Sequence, residues 1–335
     1  MRCLAIGAAV ALLLIGPSGK GFAGSKAKGF AKSNAKKVPA QSQLPTAITE
    51  CGDITQAGNY VLENDLVLVV SDQQDFGMDT CLTISASRVN IDLGGNTIAV
   101  ACSDPFLCQP EFGVPGGIGI EVTAGADSVS ISNGAVENYV YGIVADQDYY
   151  MSLTNLALTA VVGLTLSDVS QSTVRGITYF GAGDDEHSTN GPLLYVTGGS
   201  HNSFSNLSGD TGADIGIVDA VEIEGSNANS ISQLNLENDS SCSNAALLLT
   251  GGSSFNIVTA NTIFDDCGAG IEADSGGRLN FIIGNNVTTI SPPDVFAMLD
   301  ENPKCGSDLW FMNTFTNEGD RDPSIISASP SSCIH

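Results

Sequence analysis

Gly142-Ile143-Val144-Ala145, then Leu153, then Gly163-Leu164-Thr165-Leu166, then Val174: this stretch sets the architecture of the chain. In each unit a short run of alternating apolar and polar residues starts beside a glycine. A second apolar anchor follows ten residues after the Ile or Leu. The unit recurs upstream as Gly119-Ile120-Glu121-Val122 with Ile131. Downstream it recurs as Leu193-Leu194-Tyr195-Val196 with Phe204 and Ala220-Val221-Glu222-Ile223 with Ile231. Two more copies are Ala246-Leu247-Leu248-Leu249 with Ile257 and Gly270-Ile271-Glu272-Ala273 with Phe281. The step from first to second anchor is 11 residues once and 10 residues six times, whereas the step to the next unit runs from 11 to 20. One arc of each turn is therefore fixed and another absorbs every insertion. Alternation at period two is the strand signature, and no 3.6-residue apolar period competes with it. Units that cannot bury a face alone stack on their neighbours. The sequence thus reads as all-β, a single-stranded right-handed parallel β-helix solenoid of roughly 8–10 coils.

Asn133, Asn155, Asn206 and Gln233 stand two residues beyond their anchors, and Asn313 stands two beyond Phe311. Asparagine tolerates left-handed backbone best after glycine, so these residues mark a tight corner, and their stacked amides can form a ladder between coils. Ile54 to Val70 is expected to cover the front of the solenoid, and Asp308-Leu309-Trp310-Phe311 to make its final coil.

The flanks set the compartment. Residues 1–23 carry Arg2, an apolar run from Leu4 to Ile15 and small residues near Ala23, the pattern of a secretory signal. That run is well short of the roughly 20 residues that span a bilayer, so no membrane span is expected in the mature protein. Residues 24–45 form a basic flexible linker, and 46–335 the β-helix with its caps. The localisation expected is secreted, periplasmic or cell-surface. Seven of the twelve cations precede Glu50, which leaves five cations against 37 acids beyond it, a net of −32. Such a surface repels nucleic acid, and repels polyanionic sugars unless divalent cations bridge the two. Without Cys3, eight cysteines remain, and an even count in an exported chain points to disulfides. Sequence neighbours stay close in a solenoid, which gives Cys51–Cys81, Cys102–Cys108, Cys242–Cys267 and Cys305–Cys333. No CxxC spacing suggests zinc. A monomer is expected.

Several segments resemble the secreted right-handed parallel β-helix proteins of the pectin-lyase-like superfamily. They are Cys51-Gly52 with Ile54-Thr55, Gly58-Asn59-Tyr60, Arg88 to Ile98, and the tail with Trp310, Asn313-Thr314-Phe315 and Cys333. The resemblance is to the bacterial branch that includes nitrous-oxide-reductase maturation factors. It implies a fold over residues 50 to 335. It leaves activity open, since that superfamily holds lyases, hydrolases, epimerases and adhesins.

Chemistry is expected on the variable arcs. The longest holds Gly183-Asp184-Asp185-Glu186-His187; later arcs supply Asp210, Asp214 and Asp219, then Glu237 and Asp239, then Asp265 and Asp266. Stacking in register would align them as an acidic stripe with three readings. It is a solvated face, or a hard-cation site (Asp239, Asp265 and Asp266, with calcium as the ion), or an acid–base pair on a glycosidic bond (Asp184, Asp185, His187, Asp210 and Asp214). Gly183-Asp184-Asp185 resembles one piece of the polygalacturonase signature, whose Asn-Thr-Asp and Arg-Ile-Lys elements are absent. A lyase-type base would have to be Arg175 or Arg278. His187 and His201 are too few for an imidazole-built copper or zinc site. No His-paired nucleophile is visible. The partner expected is a polysaccharide or cell-envelope glycan, met by a carbohydrate-associated binding or surface-structural solenoid, or else by a polysaccharide hydrolase or lyase that uses the acidic arcs. No cofactor is required beyond the calcium of the second reading.

Overall fold

In the computed structural model the residues described are 44–70, 79–102, 116–181, 191–210, 219–238, 244–265, 268–289, 296–302, 308–317, 328–329 and 334. They contain strands and turns and no helix, and so no helix able to cross a membrane. Every strand pairing is parallel. Each coil contributes one strand to each of three sheets. Sheet I includes Gly52–Ile54, Thr80–Ile84, Leu194–Thr197, Val221–Glu224, Ala245–Thr250, Ala269–Ala273 and Met298–Asp300. Sheet II includes Gly58–Leu62, Val89–Asp92, Ser230–Ser232, Ile257–Thr259, Phe281–Ile283 and Leu309–Phe311. Sheet III includes Leu66–Val70, Thr97–Cys102, Asn235–Asn238, Thr262–Asp265, Asn286–Thr289 and Thr314–Asn317. Ser130–Asp146 and Ser152–Ser167 run unbroken from sheet II through sheet III to sheet I of the next coil. Ten complete coils result among the described residues. Parallel strands joined by crossovers wind right-handed, as a right-twisted strand packs back onto its sheet in that sense.

Side chains on alternate positions fill the interior in columns. Sheet I contributes Ile120, Ile143, Leu164, Leu194, Val221, Leu247, Ile271 and Met298, all buried. Sheet II contributes Ile91, Ile131, Leu153, Val174, Phe204, Ile231, Val258, Ile282 and Trp310. The last three correct the sequence reading, which took Ile257, Phe281 and Phe311 as anchors. Those side chains are 45%, 38% and 51% exposed. The fixed arc is not constant at ten residues: Leu82 to Ile91 is nine, Leu247 to Val258 eleven and Met298 to Trp310 twelve. One extra turn residue moves every following side chain to the opposite face. The variable arc lies between sheets III and I, as the spacing implied. Ile54 to Val70, expected as a cap, already belongs to a regular coil made of Gly52–Ile54, Gly58–Leu62 and Leu66–Val70.

The corner between sheets II and III uses Asn133, Asn155, Asn206 and Gln233 with φ near +55 to +60°. The last coil differs from expectation: Met312 takes the left-handed position there. Asn313 instead ends a buried ladder, accepting from Asn285, which accepts from Asn261 at 2.8 Å. A second buried ladder joins sheets I and II. Asn202 N–H donates to Asn229, Asn229 to Asn256, and Asn256 to Asn280, each at 2.9–3.0 Å. These amides replace the backbone partners that the corners lose. Cys51–Cys81 is bonded, and its Cα atoms lie 4.6 Å apart on adjacent coils. Cys102 ends a strand of sheet III, while Cys108, Cys242, Cys267, Cys305 and Cys333 lie outside the described residues.

Candidate functional site

The outer surface of sheet III carries a groove of about 420 Å³. Its floor is set by strand alternation. Tyr179, Leu236 and Ile263 point inward, so Phe180, Asp210, Glu237 and Phe264 point outward. These four are direct neighbours in register, one per coil. A parallel column of Thr178, Ser208, Asn235 and Thr262 runs beside them. Phe180 is 55% exposed. Two phenyl rings thus bracket two carboxylates, with hydroxyls and an amide alongside. Adjacent parallel strands are about 4.8 Å apart, which sets the spacing of the Asp210 and Glu237 backbones. The floor is held from beneath: the buried Tyr179 hydroxyl lies 2.8 Å from the Val161 carbonyl. Gly209 leaves room for that ring, since a Cβ there would stand 3.0 Å from Tyr179 Cβ and 2.8 Å from Leu193 Cδ1.

Sheet I presents a different surface. Tyr195, Glu222, Leu248, Glu272 and Leu299 form its outward column. Burial pushes Glu222 up to about 7, helped by Asp219 and Glu224. Glu272 is also raised to about 7, by burial and then by Glu301, Asp219 and Asp274. Asp274 goes the other way. Burial alone would raise it, but bonds from Thr250 Oγ1 (2.7 Å), Ser275 and Glu301 outweigh that and hold it below the usual carboxylate range. Tyr195 donates to Glu224 at 2.6 Å, and the phenol is raised by that bond first and by burial second. Glu222 and Glu272 are two coils apart, about 10 Å at the backbone. None of these sheet I carboxylates except Asp219 belonged to the stripe read from sequence. The signal was present, as Glu222 and Glu272 occupy the polar position of the strand unit itself, but attention to the variable arcs passed over it.

The expected stripe is only partly assembled. Asp210 and Glu237 do share a column. Asp265 does not join it. Strand parity turns Asp265 inward, where it is fully buried and accepts from Asn238 at 2.8 Å. Asp219 accepts from the Ala245 N–H at 2.6 Å at the start of sheet I, and burial raises its pKa. Asp184, Asp185, His187, Asp214, Asp239 and Asp266 lie outside the described residues. Among the described residues no three His, Cys, Asp or Glu side chains gather closely enough to share a metal ion.

No protein-family model matches the sequence, and no curated protein does either. Among solved structures, the chain is similar to the catalytic domain of a GH87 alpha-1,3-glucanase in complex with nigerose. That match has a TM-score of 0.45 and 11% identity, and covers 86% of this chain and 60% of that one. It is also similar to the Dettilon tailspike protein, with a TM-score of 0.39 and 13% identity over 77% of this chain and 61% of that one. A hyperthermoactive exopolygalacturonase from Thermotoga maritima gives 0.33 and 9% identity over 79% and 84%. The chain spans about three fifths of the first two. Likeness at this level is no guide to activity.

Proposed function

We propose that the chain binds a neutral, linear glycan along the outer groove of sheet III. The observation that carries this reading is the in-register column Phe180, Asp210, Glu237 and Phe264 beside Thr178, Ser208, Asn235 and Thr262. A sugar ring has an apolar face and a rim of hydroxyls. The first packs on an aromatic ring, and the second is recognised by carboxylates, hydroxyls and amides, the few polar groups that orient a ligand in a groove. Repetition of the same pair of columns from coil to coil suits a repeating ligand. Asp210 and Glu237, on a chain with a net of −32 beyond residue 50, disfavour acidic glycans.

A second reading, glycoside hydrolysis on sheet I, rests on a separate observation. The environments of Glu272 and Asp274 move their pKa values apart, one up to about 7 and the other down. Such divergence separates a general acid from a carboxylate that stays ionised.

The two readings separate in one experiment. The full chain is titrated with neutral and acidic polysaccharides, with and without calcium, while new reducing ends are followed. Retention of the neutral glycan, unchanged by calcium and weakened about tenfold or more in Phe180→Ala and in Asp210→Asn, is the result expected. Equal binding by those variants and the wild type overturns the groove. Release of reducing ends, abolished in Glu272→Gln but kept in Phe180→Ala, moves the function to sheet I.

A further inference from the structure

The outer face of sheet II changes character partway along the solenoid. From Ser130 to Ser232 its outward positions are Ser or Thr, apart from Arg175. At the next coil the columns switch. Ser230 is followed in register by Ile257, Phe281 and Leu309, and Ser232 by Thr259, Ile283 and Phe311. Phe255 and Leu279, in the corner leading into these strands, widen the same surface. Exposures run from 38% for Leu279 and Phe281 to 51% for Phe311. Phe255 and Leu279 hold φ of 61° and 58°, backbone that bulky side chains rarely adopt. The same corner is left-handed at Ser128, Tyr150, Gln171, His201 and Ala228 as well, and in these later coils it carries a phenyl and an isobutyl group that face water. These outward positions bear no carboxylate.

We infer that this face is the contact between two copies of the chain, related by a two-fold axis and packed sheet against sheet. The occupant is identified by elimination and by charge. Of the chain's own tail, the described Ile334 lies on the inner side, where it continues the column on Trp310. Residues 20–37 hold six lysines against two phenylalanines, Phe22 and Phe30, so a cationic segment with two separated rings matches a continuous apolar patch poorly. Two copies with a net of −32 beyond residue 50 repel over most of their surface, and this carboxylate-free region, bordered by the exposed cation Arg278, is where they can approach. With about 200 Å² for a fully exposed phenyl group, the patch offers on the order of 600 Å² of apolar area per copy. Face-to-face burial of both patches gives about 1,200 Å², the lower bound for a specific interface. An isologous contact closes on itself and stops at a dimer. The association is therefore weak and concentration-dependent.

Sedimentation velocity of the full chain, from low to high micromolar concentration, tests the inference. A monomer–dimer equilibrium is expected. It should be lost in the double variant Phe281→Ser, Phe311→Ser and kept in Phe180→Ser, which removes an exposed phenyl from sheet III. Thermal melting reports whether the double variant is folded. Should it not be, salt gives the second readout on the wild type: about 1 M salt screens the repulsion and strengthens the dimer. A monomer at every concentration overturns the inference, as does a dimer weakened by salt. So does a monomer that binds neutral lipid vesicles through Phe281 and Phe311.

Discussion

Asp148 is the residue most at odds with its surroundings. Its side chain is fully buried, and neither carboxylate oxygen has a hydrogen-bond partner. Burial first, then Asp127 and Asp146, raise its pKa to about 7. It sits two residues before the left-handed Tyr150, as Ala126 does before Ser128 and Val169 before Gln171. The neighbouring coils therefore fill this position with small apolar groups. The folded pKa lies above the unfolded value, so the native state binds the proton more tightly and stability from this group falls as pH rises from about 4 to about 7. Asp148→Ala is expected to stabilise the protein above pH 7, by at most about 4 kcal/mol, and to have little effect at pH 4. Denaturant titrations at the two pH values check this; an equal effect at both means that Asp148 is not held protonated. Nothing in the sequence marked this residue, because an Asp in a polar turn reads as exposed until its turn is known to fold over the core.

The ladders and the front staple belong to the scale of elements. Asn256 accepts from Asn229 and donates to Asn280 Oδ1 and to the Ser226 carbonyl, all while buried. Asn256→Ala leaves several buried backbone and side-chain groups unpaired, at about 1–3 kcal/mol each, and is expected to destabilise by about 3 kcal/mol or more. Asn133→Ala, at an exposed corner, should cost far less; chemical denaturation ranks the two. Cys51–Cys81 closes a separation of 30 residues and constrains the unfolded chain by about 3.5 kcal/mol in the loop-entropy account. Cys51→Ser is expected to lose a comparable amount, seen as a lowered denaturation midpoint. The strand unit, the placement of insertions and the asparagine corners were legible in the sequence, because they depend on local alternation and turn chemistry. The inner sheet II column from Val258 onward was not. Equal spacing was the guide there, and the turn Gly251-Gly252-Ser253 carries one residue more than the equivalent turn before Ile231. The buried ladder was missed too, although Asn202, Asn229, Asn256 and Asn280 each stand two residues before the inward anchor.

For the whole molecule, carboxylates decide how stability depends on pH. Asp148, Glu222 and Glu272 each take up a proton near pH 7 when folded, and burial also raises Asp219 and Asp308. Asp274, whose pKa is lowered, works in the opposite sense. The upward shifts dominate, so the native state binds more protons than the unfolded chain between pH 4 and 7. The melting temperature is expected to be highest near pH 4 to 5 and to fall toward neutrality. A melting series across this range checks it, and a maximum at pH 7 or above contradicts it. Glu272→Gln should flatten part of the slope.

The unbroken strands Ser130–Asp146 and Ser152–Ser167 leave two successive coils with no insertion at the corner between sheets III and I. The groove opens toward them, past Thr159 and Ala157 to Glu137 and Ala135; the alanine methyl groups raise no wall, and Glu137 extends the carboxylate column. Among the described residues, a thread laid in the groove meets no stopper at that end. Held there, it would be clasped along its side with that tip trailing free, as a cable is clipped without being fed through an eye.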